Sequence, residues 1–234
     1  GSTSPDCTIS NSIISTSTTE YYENVGNSTF MTYFRVYQAT STGAIQLKTD
    51  VFSVSFAAAA MNISGSSNLA TGTVVGLAYN STLQSATTSV TGSAFTFSSI
   101  TAPSNGQVIT VFASSTDADE STGVTKYDGT GDITELVLNR HKLTLGSDDN
   151  QSINITNLGQ YDRSDNENVI HSATTTTQVD LDPDDSYTDE EIVIATSTLN
   201  VGGSDTVITH DFEIATSGIV TATGTAGFTV EGSW

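Results

Sequence analysis

Short segments in which apolar and hydroxyl side chains alternate run through the 234-residue chain and constrain its fold more than any other feature. In one of them Phe52, Val54 and Phe56 alternate with Ser53 and Ser55. SAFTFSSI and VITHDFEIA also alternate, and TVVGLAYN, GQVITVFA, ITELVLNR and EEIVIATS are further short strand-like segments. Because successive side chains of a strand point to opposite faces, each alternating segment predicts a strand with one face toward a core.

The composition favours strands over helices. Ser and Thr supply 72 of the 234 residues, and Thr and the β-branched apolar residues pack well on a pleated surface. Gly, Asn, Asp or Ser separates the segments at intervals of about 8–12 residues, a spacing typical of sandwiches and barrels. No internal repeat of fixed period is apparent. The sequence therefore predicts an all-β protein of tandem antiparallel β-sandwich domains, immunoglobulin-like or jelly-roll-like.

Acidic residues are distributed unevenly, which predicts a domain division. The net charge is −20, but only four of the 26 acids precede residue 111. We predict an N-terminal β-sandwich over residues 1–112 and an acidic β domain over residues 113–234. The negative charge argues against nucleic acid and anionic membrane as partners, because both would repel it.

Several features point to the outside of a cell. No apolar run approaches the roughly 18–20 residues that span a bilayer, so no membrane insertion is expected. The single cysteine, Cys7, excludes an intrachain disulfide and leaves either an unpaired thiol or a bond between chains. Five glycosylation sequons occur, by chance in a Ser/Thr-rich chain or as used sites: Asn27, Asn62, Asn80, Asn150 and Asn154.

An acidic stretch, DLDPDDSYTDEE, is the strongest candidate for a ligand site. Asp residues at alternating positions can direct several oxygens at one Ca²⁺ ion, which takes six to eight oxygen ligands. The candidate ligands are Asp180, Asp182, Asp184, Asp185 and Glu190. The central Gly of an EF-hand loop is missing and Pro183 interrupts the stretch. A solvated acidic turn is therefore the alternative.

Nothing in the sequence predicts catalysis. Asp117, Asp119 and Glu120 form a second, weaker acidic group. The three histidines lack transition-metal spacing, and neither a phosphate-binding loop nor a Gly-x-Ser-x-Gly elbow occurs. A glycosidase would need an aromatic-lined cleft around its carboxylate pair, but the single Trp is residue 234. We therefore expect a protein that is not an enzyme.

The N-terminal stretch CTISNSIISTSTTEYY is prone to form a strand and is uncharged as far as Glu20. It can be the first strand of its own domain. It can also be donated to the open edge of a neighbouring subunit, since an unpaired edge without charge is a template for another chain.

Three segments resemble modules of secreted bacterial and archaeal cell-surface proteins. Residues 72–112, with GLAYNSTL and GSAFTFSSI, are similar to their immunoglobulin-like modules. Residues 124–157, with VTKYDGTGDIT and INITNL, are similar to the segment that often follows them. The tail, from STLNVGGSD to GFTVEGSW, resembles the Gly/Thr strand ladders of adhesins, S-layer and fibre proteins. The resemblance implies an extracellular structural role.

These observations together predict a subunit of a cell-surface filament, pilus-like fibre or surface layer that assembles with identical subunits by β-strand pairing. Calcium and glycans are the expected additions. The alternative is an adhesin, or a virion fibre or decoration module, that binds host glycans or a partner surface.

Overall fold

The structure is a computed structural model that describes residues 31–34, 37–39, 45–47, 52–55, 60–79, 81–114, 120–175, 177–181, 183 and 188–234. Chain contacts define two units, Gly1–Ala58 and Ala59–Trp234. In the first unit β1 (Met31–Phe34) pairs antiparallel with β4 (Phe52–Ser55). There β2 (Tyr37–Ala39) also pairs antiparallel with β3 (Ile45–Leu47).

The second unit begins with two packed sheets. One contains β5 (Ala60–Ser67), β8 (Ala94–Thr101) and β11 (Ile133–Leu138). The facing strands are β6 (Val74–Tyr79), β7 (Thr82–Ser89), β9 (Val108–Ala113) and β10 (Thr122–Lys126). The two sheets form a sandwich.

Apolar side chains that alternate with polar ones along the strands fill the sandwich core. Phe95 and Phe97 of β8 are buried, whereas Thr96 between them is exposed. They pack in one cluster with Ile63 of β5 and Leu77 of β6. The segment SAFTFSSI therefore forms the two-faced strand that its sequence predicts.

From residue 142 onward the strands other than β14 (His171–Thr175) stack in parallel on three faces. Face 1 contains β12 (Lys142–Asn150), β16 (Glu191–Ile194) and β19 (Asp211–Ile214). Face 2 contains β13 (Ile153–Asn154), β17 (Thr198–Val201) and β20 (Ile219–Ala222). Face 3 contains β15 (Gln178–Leu181), β18 (Thr206–Thr209) and β21 (Gly227–Val230). We call this region the β-stack. Coil 1 contains β12, β13 and β15; coil 2 contains β16 to β18; and coil 3 contains β19 to β21.

The β-stack contains a repeat that the sequence analysis missed. Asp211 lies 20 residues after its register partner Glu191, and Val220 lies 21 residues after Leu199. The tetrapeptide IATS occurs at 194–197 and again at 214–217. Coil 1 hides the repeat because α1 (Ile155–Leu158) and β14 lie between its strands, and the acidic stretch separates β15 from β16 in the chain.

One end of the β-stack, which we call the closed end, is covered by other elements. On face 1, β10 pairs parallel with β12, so one seven-stranded sheet runs in the order β19-β16-β12-β10-β9-β6-β7. On face 3, β14 pairs antiparallel with β15. Val124 of β10, Leu158 of α1 and Ile170 before β14 are buried in the same cluster as the interior of the coils.

The all-β prediction is confirmed. The structure also shows that many of the strands pair in parallel, which the sequence analysis did not predict. Strands alternate with a period of two whether their partners are parallel or antiparallel, so the pattern cannot distinguish the two. VITHDFEIA is two strands rather than one, with a corner at His210 between β18 and β19. The predicted boundary after residue 112 lies near the end of β9, which pairs with β10 in the same sheet.

Candidate functional site: the open end of the β-stack

The interior of the β-stack is built from columns of apolar side chains in register. On face 1 one column contains Leu145, Ile194 and Ile214. On face 3 another contains Val179, Val207 and Phe228. Each coil therefore covers the apolar side of the coil before it.

Exposure rises sharply at coil 3. Leu145 and Ile194 are 0% exposed, whereas Ile214 in the same column is 49% exposed. Val207 is also 0% exposed, and Phe228 above it is half-buried. Among the described residues, no further coil covers coil 3 in the way that coils 2 and 3 cover the coils before them. We call this surface the open end.

The chain begins a fourth rung on face 1. The Phe212 N–H donates to the Ser233 carbonyl, and the Gly232 N–H donates to the His210 carbonyl. This parallel pattern places Trp234 beside Phe212, with their rings 5.4 Å apart. Trp234 also lies 5.8 Å from the Phe228 ring. It is 73% exposed, so the aromatic cluster opens toward solvent.

Backbone groups at the open end lack strand partners within the described part of the chain. β19, β20 and β21 are the outermost strands of their three sheets. Apart from the short fourth rung, their outer edges carry N–H and C=O groups for which these sheets provide no further strand. Such edges, together with exposed apolar side chains, are typical of surfaces that another strand covers.

The open end is acidic. Asp211 and Glu213 belong to β19, and Glu231 follows β21. Hydrogen bonds from the Ser233 backbone and hydroxyl hold the pKa of the Asp211 carboxyl below its usual value. Asp211 is therefore negatively charged at neutral pH, and the end would repel an acidic partner.

The structure places only part of the predicted calcium site. Asp180 is half-buried in β15 and Glu190 is buried just before β16. Asp182, Asp184 and Asp185 lie outside the described residues. No group of three His, Cys, Asp or Glu side chains among the described residues is arranged to hold a metal ion. The calcium site stays a prediction.

In the second acidic group, Glu120 has a partner of its own. Arg163 Nη1 donates to both of its carboxylate oxygens, at 2.9 and 3.0 Å, and the Glu120 side chain is 3% exposed. Asp117 and Asp119 lie outside the described residues. The ion pair joins the start of β10 to the connection between α1 and β14, and thus stabilises the closed end.

The predicted glycosylation residues differ in their surroundings. The Asn62 amide donates to Asp132 and its carbonyl accepts from the Ser99 N–H, so its side chain holds two strands together. Asn150 is exposed at the end of β12. Asn154 is exposed and caps α1 by accepting from the Asn157 N–H. Asn27 and Asn80 lie outside the described residues.

Two open hollows lie beside Phe95 and are lined by hydroxyl-bearing residues such as Ser64, Ser66 and Thr96. Within the described residues, no helix has the length and apolar character needed to cross a membrane.

Comparisons of the chain with family models, curated proteins and solved structures find no match.

Proposed function

We propose that the protein is an extracellular structural subunit of a cell-surface filament, pilus-like fibre or surface layer, and that identical subunits join by β-strand pairing. The observation that carries this proposal is the β-stack itself, in which parallel coils join by strand pairing and, among the described residues, β19, β20 and β21 are the outermost strands around exposed Ile214 and Trp234. Strand pairing would bury both the edges and the apolar side chains at once.

The character of the remaining surface supports the same role. A net charge of −20 keeps a Ser/Thr-rich β-protein soluble until its strand edges meet a partner. Sequons at exposed Asn150 and Asn154 fit an extracellular location. We propose calcium in the acidic stretch as a further stiffening element, held by its carboxylates.

Negative-stain electron microscopy of the purified full chain tests the proposal. We expect regular polymers or sheets whose formation depends on protein concentration. Discrete monomers or small closed oligomers at every concentration would contradict the structural role and favour a binding module.

A further inference from the structure

A column of ionisable residues runs along the corner at which face 1 begins. Four residues occupy equivalent positions of the register before β10, β12, β16 and β19: Glu120, His141, Glu190 and His210. Backbone hydrogen bonds join the rungs beside them. The His141 N–H donates to the Glu120 carbonyl, the Glu191 N–H to the His141 carbonyl, and the Asp211 N–H to the Glu190 carbonyl. We call these four residues the acid–histidine column.

Acids and histidines alternate along this column, although most of it is buried. Glu120, His141 and Glu190 are 2%, 7% and 6% exposed, and His210 is half-buried. Neighbouring strands lie about 4.8 Å apart, so two carboxylates in register here would repel each other with little water between them. An imidazole can instead donate an N–H to a carboxylate whether or not the ring is protonated.

The adjoining column, one residue further along the same strands, does not alternate. It contains Lys142, Glu191 and Asp211. Lys142 forms an ion pair with Glu191, but Glu191 and Asp211 are two acids in register. Both of these side chains reach solvent, where water and salt screen the repulsion. Like residues are therefore neighbours in the solvated column and not in the buried one.

The apolar columns alone do not distinguish one coil from another. Ile194 and Ile214 occupy the same column, and IATS recurs in coils 2 and 3. Coil 3 placed directly on coil 1 would therefore find similar apolar contacts. The same exchange would set His210 against His141 and leave no carboxylate between them.

We propose that the acid–histidine column determines the order in which the coils stack, because each coil presents to the next a residue of the opposite kind. Buried polar residues set the register of some coiled coils in the same way. The proposal concerns the folding of a single copy and does not depend on polymer formation. Two partners outside the column contribute to it: Arg163 donates to Glu120, and Asp189 Oδ1 lies 2.7 Å from His141 Nδ1.

A double-mutant cycle tests the coupling between coils 1 and 2. His141→Glu and Glu190→His are made singly and together in an Asp189→Asn background, which removes the exposed carboxylate beside the imidazole. Each single change should lower the midpoint of urea denaturation, because it places like residues in register. The exchange restores an opposite pair, so the double variant should exceed the stability expected from the two single losses by about tenfold in the unfolding equilibrium constant. Additive losses would overturn the inference.

The adjoining column supplies the matched control on the same two strands. Lys142→Glu and Glu191→Lys exchange a pair that reaches solvent, and such pairs contribute little to stability. Their coupling should be smaller than that of residues 141 and 190 and should fall as salt is added. Equal couplings that both disappear at high salt would overturn the inference, because surface charge would then explain them.

The half-buried His210 gives a milder test in variants that stay folded. His210→Glu should lower the urea midpoint more than His210→Gln, because it places a second carboxylate in register with Glu190. In a Glu190→Gln background this gap between the two variants should close. A gap that persists there would come from Asp211 or Glu231 nearby and would overturn the inference.

Discussion

The closed and open ends of the β-stack are built from the same kind of coil, but they differ in the elements that cover the terminal coil. At the closed end, β10 continues face 1, β14 continues face 3 and Leu158 of α1 fills the interior. At the open end, coil 3 leaves Ile214 49% exposed in a column where Ile194 is 0% exposed. The same column of side chains therefore ends against packed protein at the closed end and in contact with solvent at the open end.

The difference shows what a stacked architecture requires. Each coil buries its apolar side against its neighbours, so the terminal coils need a cap that the repeat itself cannot supply. Here three unrelated elements cap one end, and within the described residues the other end has only the short rung that carries Trp234.

The largest effect is expected from the ion pair of the closed end. Arg163→Met leaves the buried Glu120 carboxylate without its cation, and breaking a buried pair costs about 3–5 kcal/mol. Urea denaturation measures the loss. At the open end Asp211 lies 3.5 Å from His210 and both side chains are half-exposed, so Asp211→Asn should cost far less. Equal losses would contradict the contrast between the ends.

A matched pair of isoleucines tests the exposure gradient directly. Ile194→Ala should lower the free energy of unfolding by about 2–5 kcal/mol, because it opens a cavity in a packed core. Ile214→Ala removes the same atoms from a half-exposed position and should cost about 1 kcal/mol or less. Denaturation is measured below the concentration at which polymers form. A large loss for Ile214→Ala there would mean that the open end is covered within a single copy.

The pH dependence of stability should reflect His171 at the closed end. Burial lowers the pKa of His171 below 6.5, although a hydrogen bond to the Leu158 carbonyl and the nearby Asp162 oppose the shift. The unfolded chain takes up the proton first, so stability falls as pH drops below 6.5, by at most about 1.4 kcal/mol per pH unit. His171→Gln keeps a donor for Leu158 and should reduce this slope in pH-dependent urea melts. An unchanged slope would contradict the assignment.

The buried carboxyl of Asp149 should change the stability with pH in the direction opposite to His171. Burial raises the pKa of its carboxyl from 3.8 to about 6, so the folded state holds the proton more tightly. Its contribution to stability is present below pH 3.8 and is lost as pH rises through about 6. Asp149→Asn should therefore remove a rise in stability that accompanies acidification from pH 6 to 4. The same melts, compared between variant and unmodified protein, measure it.

The smallest effect is expected from the acidic stretch, which lies in the chain between β15 of coil 1 and β16 of coil 2. If calcium binds there, chelation should lower the melting temperature, because an ion bound only by the folded state stabilises it. Asp184→Asn combined with Asp185→Asn should abolish the difference. An equal melting temperature with and without chelator would identify a solvated turn.

Much of the fold was predictable because alternation fixes which side of a strand is buried. SAFTFSSI and EEIVIATS become strands in which Phe95, Phe97 and Ile192 are buried as the alternation requires, whereas all six residues of β9 in GQVITVFA are buried. Parallel stacking was not predictable from the same pattern. The recurring IATS at residues 194 and 214 was a local signal of it. In coil 1 the aligned residues 145–148 read LGSD and lie 49 residues before their partners in coil 2, so no third occurrence marks the period.

The open end could not be located from the sequence for a related reason. Ile194 and Ile214 each begin an identical tetrapeptide, IATS. Their exposure differs only because a further coil lies over one and not over the other. The exposed fraction of such an isoleucine depends on which coil it belongs to, and the residues next to it in the sequence do not show this.

The sequence by itself determined that the chain is β-rich, that its segments have two faces and that its acids gather after residue 110, because these follow from side-chain chemistry and period. The tertiary structure alone decided that the acidic half forms parallel coils, that Glu120 lies buried against Arg163 and that β7 and β19 are the two edges of one sheet. Strand partners are chosen by contacts between residues far apart in the chain, and those contacts exist only once it has folded.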